Sequence, residues 1–473
     1  MYVAVLILLG FFIYAISFCM PGVKNKVEYM VGRRDFGALS IGFSIAATWI
    51  WAPALFVAGE QAYTNGWVGL LYFFVPNVLC LLVFAPFAIK VRKWFPHGKT
   101  LAEYMGHMYS PRVRRLYILQ TGGLAILSQT VQLLAGAKII CLLTGWDFFL
   151  VTAGMGLFAL LYAYKDGIRA SILLDVFYMT IMLFVCAILV PLMIKTVGLG
   201  TLVAGMPSIN GDVKSLVDPR GLSILASFGL ATFINLIAGP FGDQNAWQLI
   251  FSVKENKIFK AHVIAAIAFA VVPFSMGILG FLAAGSGFRP VDVSIVNFEL
   301  VNKILPEWAT AIFLIMVMGG LLSTLDSNLC AISAIYSNIR PTAQLTEIKR
   351  AMAIFGAIIP ILGANIPGLK ILHLFLFYGA FRTITLLPTM LTIIKGSRIP
   401  GKGLPEKGIY YGILAGLIFG LPVFAYGNFF NVSLYKVVGS LLCLLVPLVP
   451  VAVIKGVKKK CFYGNKAQEM KIG

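Results

Sequence analysis

Charge is scarce in this 473-residue chain, and acidic charge scarcest: Asp and Glu number 18 against 38 Lys and Arg, and charged residues are 12% of the whole. Soluble domains carry about 25% charge, so a water-exposed surface over most of the molecule is excluded. Histidine is also rare, at four, and the seven cysteines (Cys19, Cys80, Cys141, Cys186, Cys330, Cys443 and Cys461) lack the paired spacing of a zinc or redox site. They read as small core residues or free thiols. A glycine-rich phosphate loop, a Gly-x-Ser-x-Gly elbow and a zinc-protease motif are all missing, which argues against ATP-driven transport through this chain and against the common hydrolase chemistries. A membrane-embedded enzyme would normally need a His or Cys/His centre within a span. His97, His107 and His262 instead lie at or near loop edges, and His373 has no partner spacing.

Hydrophobic residues are abundant, at 59%, with a mean hydropathy of +0.91. Apolar runs long enough to cross about 30 Å of hydrocarbon number thirteen: 2–21, 38–63, 66–90, 114–144, 147–164, 170–196, 221–248, 261–286, 306–337, 350–367, 370–394, 408–427 and 436–455. The expectation is an all-α polytopic membrane protein forming one domain. Its first run lacks a basic leader and a cleavage site, so 2–21 reads as a peripheral anchor helix.

The net charge of +20 suggests nucleic acid, but its distribution is topological. Of the Lys and Arg residues, 29 fall in alternate loops (22–36, 90–115, 165–169, 254–260, 340–350, 395–407 and the tail from Lys455), eight on the other side, and one, Arg382, inside a span. Basic loops stay in the cytoplasm. The expected arrangement in the cell membrane therefore has the N-terminus outside and the C-terminus inside, with an odd number of spans. The tail 456–473 reads as a cytoplasmic basic anchor that touches anionic lipid.

Two spans carry helix breakers in mid-membrane: Trp49-Ile50-Trp51-Ala52-Pro53, and Ala238-Gly239-Pro240-Phe241-Gly242-Asp243. Proline removes a backbone donor and glycine loosens the turn. The breaks occupy matching places if 38–196 and 221–394 are two five-helix halves, with 408–455 adding two peripheral helices. An odd number of helices per half inverts one half relative to the other, and paired interrupted helices in inverted halves point to a secondary transporter with a midplane site. A third polar feature lies at Leu321–Cys330, where Ser323, Thr324, Asp326 and Ser327 interrupt an apolar helix. Ser and Thr alone often bond to their own helix backbone. The added carboxylate favours a wet or ion-filled interior, and such oxygens suit a hard cation such as sodium.

Four segments carry a family resemblance: Glu28-Tyr29-Met30-Val31-Gly32-Arg33-Arg34, Gly42-Phe43-Ser44-Ile45-Ala46-Ala47, Ser323-Thr324-Leu325-Asp326-Ser327 and Asp243-Gln244-Asn245-Ala246-Trp247-Gln248. Over about 22–395 the chain resembles the sodium:solute symporter family, and Ala47-Thr48-Trp49-Ile50-Trp51-Ala52-Pro53-Ala54 is most similar to its urea/polyamine branch. The resemblance implies a 5+5 inverted-repeat core with discontinuous first and sixth core helices. It implies a sodium site from the carbonyls of Ala47 and Ile50, the backbone of Gly320 and the hydroxyls of Ser323 and Thr324. A second cation or proton site is implied at Asp175, Ser323, Asp326 and Ser327, where Asp326 stands in place of a hydroxyl found in some relatives.

Solute contacts are expected from the breaks and the helices facing them: Trp49 and Trp51 as flat walls, Gln129 and Gln132 on one helix face, Asp243, Gln244 and Arg382. Packing competes for the tryptophans and helix capping for Asp243, while Arg382 suits an internal ion pair better than direct solute contact. The expected activity is sodium-coupled symport of a small polar solute, urea or a polyamine. A proton-coupled permease of the same fold is the alternative; a membrane enzyme or channel stands further off. No organic cofactor and no nucleic acid is expected; the partners are sodium, the solute and lipid, with the chain acting as a monomer.

Overall fold

All regular structure among the described residues is helical, and one isolated bridge pairs Phe36 with Val253. The cause is the solvent: hydrocarbon offers no partner to a backbone amide, so spanning segments close their hydrogen bonds on themselves. The computed structural model describes residues 1–20, 22–395 and 403–455. The basic stretch 396–402, Cys461 and the tail 456–473 lie outside the described residues.

In chain order the helices used below are α1 (Tyr2–Cys19), α2 (Ala38–Trp49), α3 (Ala52–Trp94), α4 (Pro111–Thr144), α5 (Phe148–Asp166) and α6 (Ile168–Val197). There follow α7 (Pro219–Ile237), α8 (Gln244–Ser252), α9 (Ile258–Gly285), α10 (Glu307–Ile339), α11 (345–364), α12 (Ile371–Lys395), α13 (Glu406–Phe429) and α14 (Ser433–Lys455).

Among the described residues, eleven helices are long and apolar enough to cross a membrane. Two places separate this from the thirteen runs in the sequence. α3 has 43 residues, about 65 Å at 1.5 Å per residue, which is twice the hydrocarbon thickness. It folds at Gly66, whose φ of 59° suits glycine, and a Cβ there would sit 2.4 Å from the carbonyl oxygen of Met206. α11 opens with Glu347, Lys349 and Arg350, which leaves too short an uncharged stretch for it to count among the eleven.

α10 lies at the centre, with 83% of its apolar stretch buried, whereas α1 has 11% and stands at the periphery. α10 packs on α4 and α6, and α9 packs on α2 and α3. The α3–α9 seam is close because both sides are small: a Cβ on Gly280 would lie 2.4 Å from the carbonyl oxygen of Gly59.

Contacts between loops define two ends. At one, Lys26 donates to the carbonyls of Pro341 and Ala343 at 2.7 and 3.0 Å, and Arg34 to those of Phe251 and His97 at 3.0 Å. At the other, Tyr63 donates to the Phe288 carbonyl at 2.8 Å and Lys138 pairs with Asp292 at 2.6 Å. Burial raises the Asp292 carboxyl, but the Lys138 and Ser294 hydrogen bonds outweigh it and leave its pKa below the usual value. Phe36, just before α2, bridges Val253, just after α8. The first interrupted helix thus starts at the end where the second finishes, and the two halves of the core run in opposite senses.

Candidate functional site

The first break is a short irregular turn. α2 stops at Trp49; the Ile50 N–H still donates to the carbonyls of Ala46 and Ala47 at 2.8 and 3.1 Å, Ile50 then turns out of the helix (ψ 66°), and α3 restarts after an extended Trp51 with Pro53 in its first turn. Proline fits there because the first amides of a helix have no intrahelical acceptor. One of those amides, Ala52 N–H, donates to Gln132 Oε1 at 2.9 Å. Gln132 therefore braces the break, and its Nε2 has no partner.

α10 crosses this break. Thr324 donates to the carbonyls of Thr48 and Gly320 at 3.2 and 3.3 Å, and the Ile50 carbonyl lies 3.1 Å from where a Cβ on Gly320 would be. Ala47, Ile50, Gly320 and Thr324 thus come together, joined by the Thr48 carbonyl, which sequence reasoning missed. Ser323 is adjacent, with its hydroxyl donated to Asp175.

Beside it is a layer rich in hydroxyls. Asp175 accepts from Ser44 at 2.5 Å as well as from Ser323. Asp326 accepts from Ser171 at 2.6 Å and Ser327 at 3.4 Å, Ser171 and Ser327 are 3.1 Å apart, and Ser327 meets Thr48 at 3.0 Å. Both carboxylates are fully buried, and among the described residues neither forms an ion pair. Among the described residues, Asp326 Oδ2 has no hydrogen-bond partner. Ser44, Thr48 and Ser171 are additions; Ser171 lies four residues before Asp175 on α6, a same-face spacing readable in the sequence.

The second break centres on Asp243, which is extended (φ −87°, ψ 121°) between the Gly239–Gly242 turn and α8. It makes no side-chain cap; its carboxylate instead accepts from Tyr378 at 2.7 Å and pairs with Arg382 at 3.1 Å, the two charged side chains 6% and 1% exposed. Arg382 also donates to the Asn235 carbonyl at 2.8 Å, and its guanidinium lies 5.4 Å from the Trp49 ring and 5.0 Å from the Tyr378 ring. Such placement is attractive because the ring face carries negative quadrupole density. Trp51 packs on Tyr378 with ring centroids 5.0 Å apart. Trp49, Trp51, Asp243 and Arg382 therefore form one cluster, as the internal ion pair expected of Arg382 requires.

Two expected solute residues are used elsewhere. Gln244 donates to the Lys99 carbonyl at 2.9 Å and accepts from the Leu101 amide at 3.2 Å, because its place in the first turn of α8 turns it toward the loop before residue 101. Gln129 donates to the carbonyls of Leu325 and Gly356, both at 3.0 Å, and so ties α4 to α10 and α11 behind the cluster. At the second break sequence reasoning also missed Tyr378, Asn235 and Gln120; Gln120 is 1% exposed, and its Nε2 lies 3.3 Å from where a Cβ on Gly242 would be. The described residues contain no group of three or more His, Cys, Asp and Glu able to hold a metal.

The chain is 27% identical over 419 residues to a sodium/pantothenate symporter of Escherichia coli, spanning 82% of this chain and 84% of that protein. It is 20% identical over 418 residues to a urea-proton symporter of Oryza sativa, spanning 78% of this chain and 57% of that protein. In fold it resembles a sodium-coupled sialic acid symporter (TM-score 0.73, 15% identity, 96% of both chains) and a nucleobase-cation-symport-1 family transporter (TM-score 0.58, 17% identity, 91% of this chain and 95% of that one). These relatives are transporters rather than enzymes. The sequence model of the sodium:solute symporter family matches residues 29–393; the chain belongs to that family and is a multi-pass secondary active transporter.

Proposed function

We propose that this protein couples sodium influx to uptake of a small polar organic solute by alternating access, with the ion at the α2/α10 junction and the solute at the facing helix breaks. The carrying observation is the bond from Thr324 to the Thr48 carbonyl, 3.2 Å long, at the point where α2 ceases to be helical. A sodium ion held by the carbonyls of Ala47 and Ile50, the backbone of Gly320 and the hydroxyls of Ser323 and Thr324 fastens the broken helix to α10. A carboxylate held inside an apolar bundle without a cationic partner is costly, which supports a second cation beside Asp175, Asp326 and Ser327. The end carrying Lys26, Arg34 and Lys99 faces the cytoplasm, by the distribution of basic loops, with 38–196 and 221–394 as the moving halves, the chain acting as a monomer in lipid.

Two solutes enter from the relatives. Urea suits the branch resemblance, whereas pantothenate belongs to relatives matched over more of their own length. Asp243 is already paired with Arg382, which removes the free counter-ion that a polyamine would need. The test is uptake of labelled pantothenate and urea into proteoliposomes under an imposed sodium gradient. Sodium-driven accumulation of a solute supports the reading, and equal uptake with sodium, potassium or no gradient removes it.

A further inference from the structure

We infer, resting on the symport reading above, that the solute bears a carboxylate received by Arg382, Gln120 and Trp49. At the paired breaks most acceptors are occupied: both Asp243 oxygens are bonded, by Tyr378 at 2.7 Å and Arg382 at 3.1 Å, and Gln132 Oε1 accepts from Ala52, which leaves Gln120 Oε1 as the exception. The donors are free. Among the described residues, Arg382 Nη2, Trp49 Nε1, Gln132 Nε2 and the whole amide of Gln120 lack hydrogen-bond partners, although these side chains are 1%, 7%, 0% and 1% exposed.

The Gly239–Gly242 turn places three of them together. A Cβ on Gly239 would lie 2.2 Å from the Trp49 ring and 3.1 Å from Arg382 Nη1, and one on Gly242 would lie 2.7 Å from Arg382 Cβ and 3.3 Å from Gln120 Nε2. This stretch of backbone, free of side chains at both positions, lets the Trp49 ring, the Arg382 side chain and the Gln120 amide all pack against one turn. Each buried donor without an acceptor is unfavourable, because it has given up its water and gained nothing in return. A ligand that brings only acceptors relieves several at once, and a carboxylate offers two oxygens in the plane a guanidinium favours. Urea brings four N–H donors and one acceptor, the opposite of what the cluster lacks.

Charge balance is the second part of the argument. Asp243 cancels the charge of Arg382, so an anion needs a further positive source. The breaks supply it: α3 and α8 both begin there and direct their N-termini inward, as interrupted transporter helices do toward anionic solutes. The sodium ion proposed one turn away adds a full charge. Carboxylate and sodium then hold one another in place, and each binds poorly without the other.

The experiment compares pantothenate with the neutral alcohol in which CH2OH replaces its carboxylate, and includes lactate and urea, in the sodium-gradient proteoliposome assay. Trp49→Phe keeps the ring and removes the indole N–H; Gln120→Ala removes the amide; both leave the Asp243–Arg382 pair intact. The expected result is uptake of a carboxylate solute at least tenfold above the alcohol or urea, and a severalfold higher KM for it in each variant at unchanged reconstituted protein. Equal uptake of the alcohol, or unchanged KM in both variants, overturns the inference. Sodium-driven uptake of urea with neither carboxylate carried overturns it while sustaining symport, and equal uptake of the carboxylates with sodium, potassium or no gradient removes symport itself.

Discussion

The Thr324 hydroxyl on α10 lies 3.2 Å from the carbonyl oxygen of Thr48 on α2, one residue before that helix ends. A carbonyl freed near a helix end cannot stay unpaired in hydrocarbon. The Thr324 hydroxyl takes up part of that demand.

The ion site follows as the first prediction. Replacing Ser323 and Thr324 together by Ala removes two of about five oxygens and leaves the α2 carbonyls in place. The sodium concentration for half-maximal uptake is expected to rise severalfold with the amount of membrane protein unchanged. Sodium dependence identical to the parent protein would sink the site.

Asp326 provides a second. Its Oδ1 accepts from Ser171 at 2.6 Å and its Oδ2 is free, so Asp326→Asn retains an acceptor for Ser171 and loses only the charge. Sodium half-saturation is expected to increase severalfold, with uptake strictly sodium-dependent from pH 5.5 to 8. Uptake driven by an inward proton gradient without sodium would instead assign the Asp175/Asp326 layer to a proton.

Both interrupted helices were legible from Pro53 and from Gly239 with Pro240, because broken helices need residues that tolerate irregular backbone. The Ser323/Thr324/Asp326/Ser327 face was legible from helical spacing, since i, i+3 and i+4 share a side. Arg382 was legible as an internal ion pair from its isolation in an apolar span. What the sequence did not reveal was which polar group each glutamine serves. Gln129, Gln132 and Gln244 satisfy backbone atoms of distant segments, and those partners depend on tertiary packing with no local signature. Gln120, with both amide atoms free, was passed over for the same reason.

A third prediction separates Gln132 from Gln129. Gln132→Ala leaves the Ala52 amide without its acceptor at the break, at a cost of about 1–3 kcal/mol. Thermal stability in detergent and uptake rate are both expected to fall, with recovery in Gln132→Glu, which keeps an acceptor oxygen. Gln129→Ala loosens α4 from α10 and α11, and should lower stability with KM unchanged. Recovery failing in the Glu variant would mean that Gln132 does more than brace Ala52.

The fourth concerns the pair of Asp243 and Arg382, 94% and 99% buried at their side chains. Asp243→Asn strands a guanidinium, and breaking a buried pair from one side costs about 3–5 kcal/mol. Yield of monodisperse protein on size exclusion is expected to fall sharply. Combining Asp243→Asn with Arg382→Gln removes the stranded charge, so yield should recover in part while uptake does not, because the guanidinium that receives the solute is gone. Wild-type yield and uptake in Asp243→Asn alone would show that the pair is dispensable, and would move the solute away from the second break.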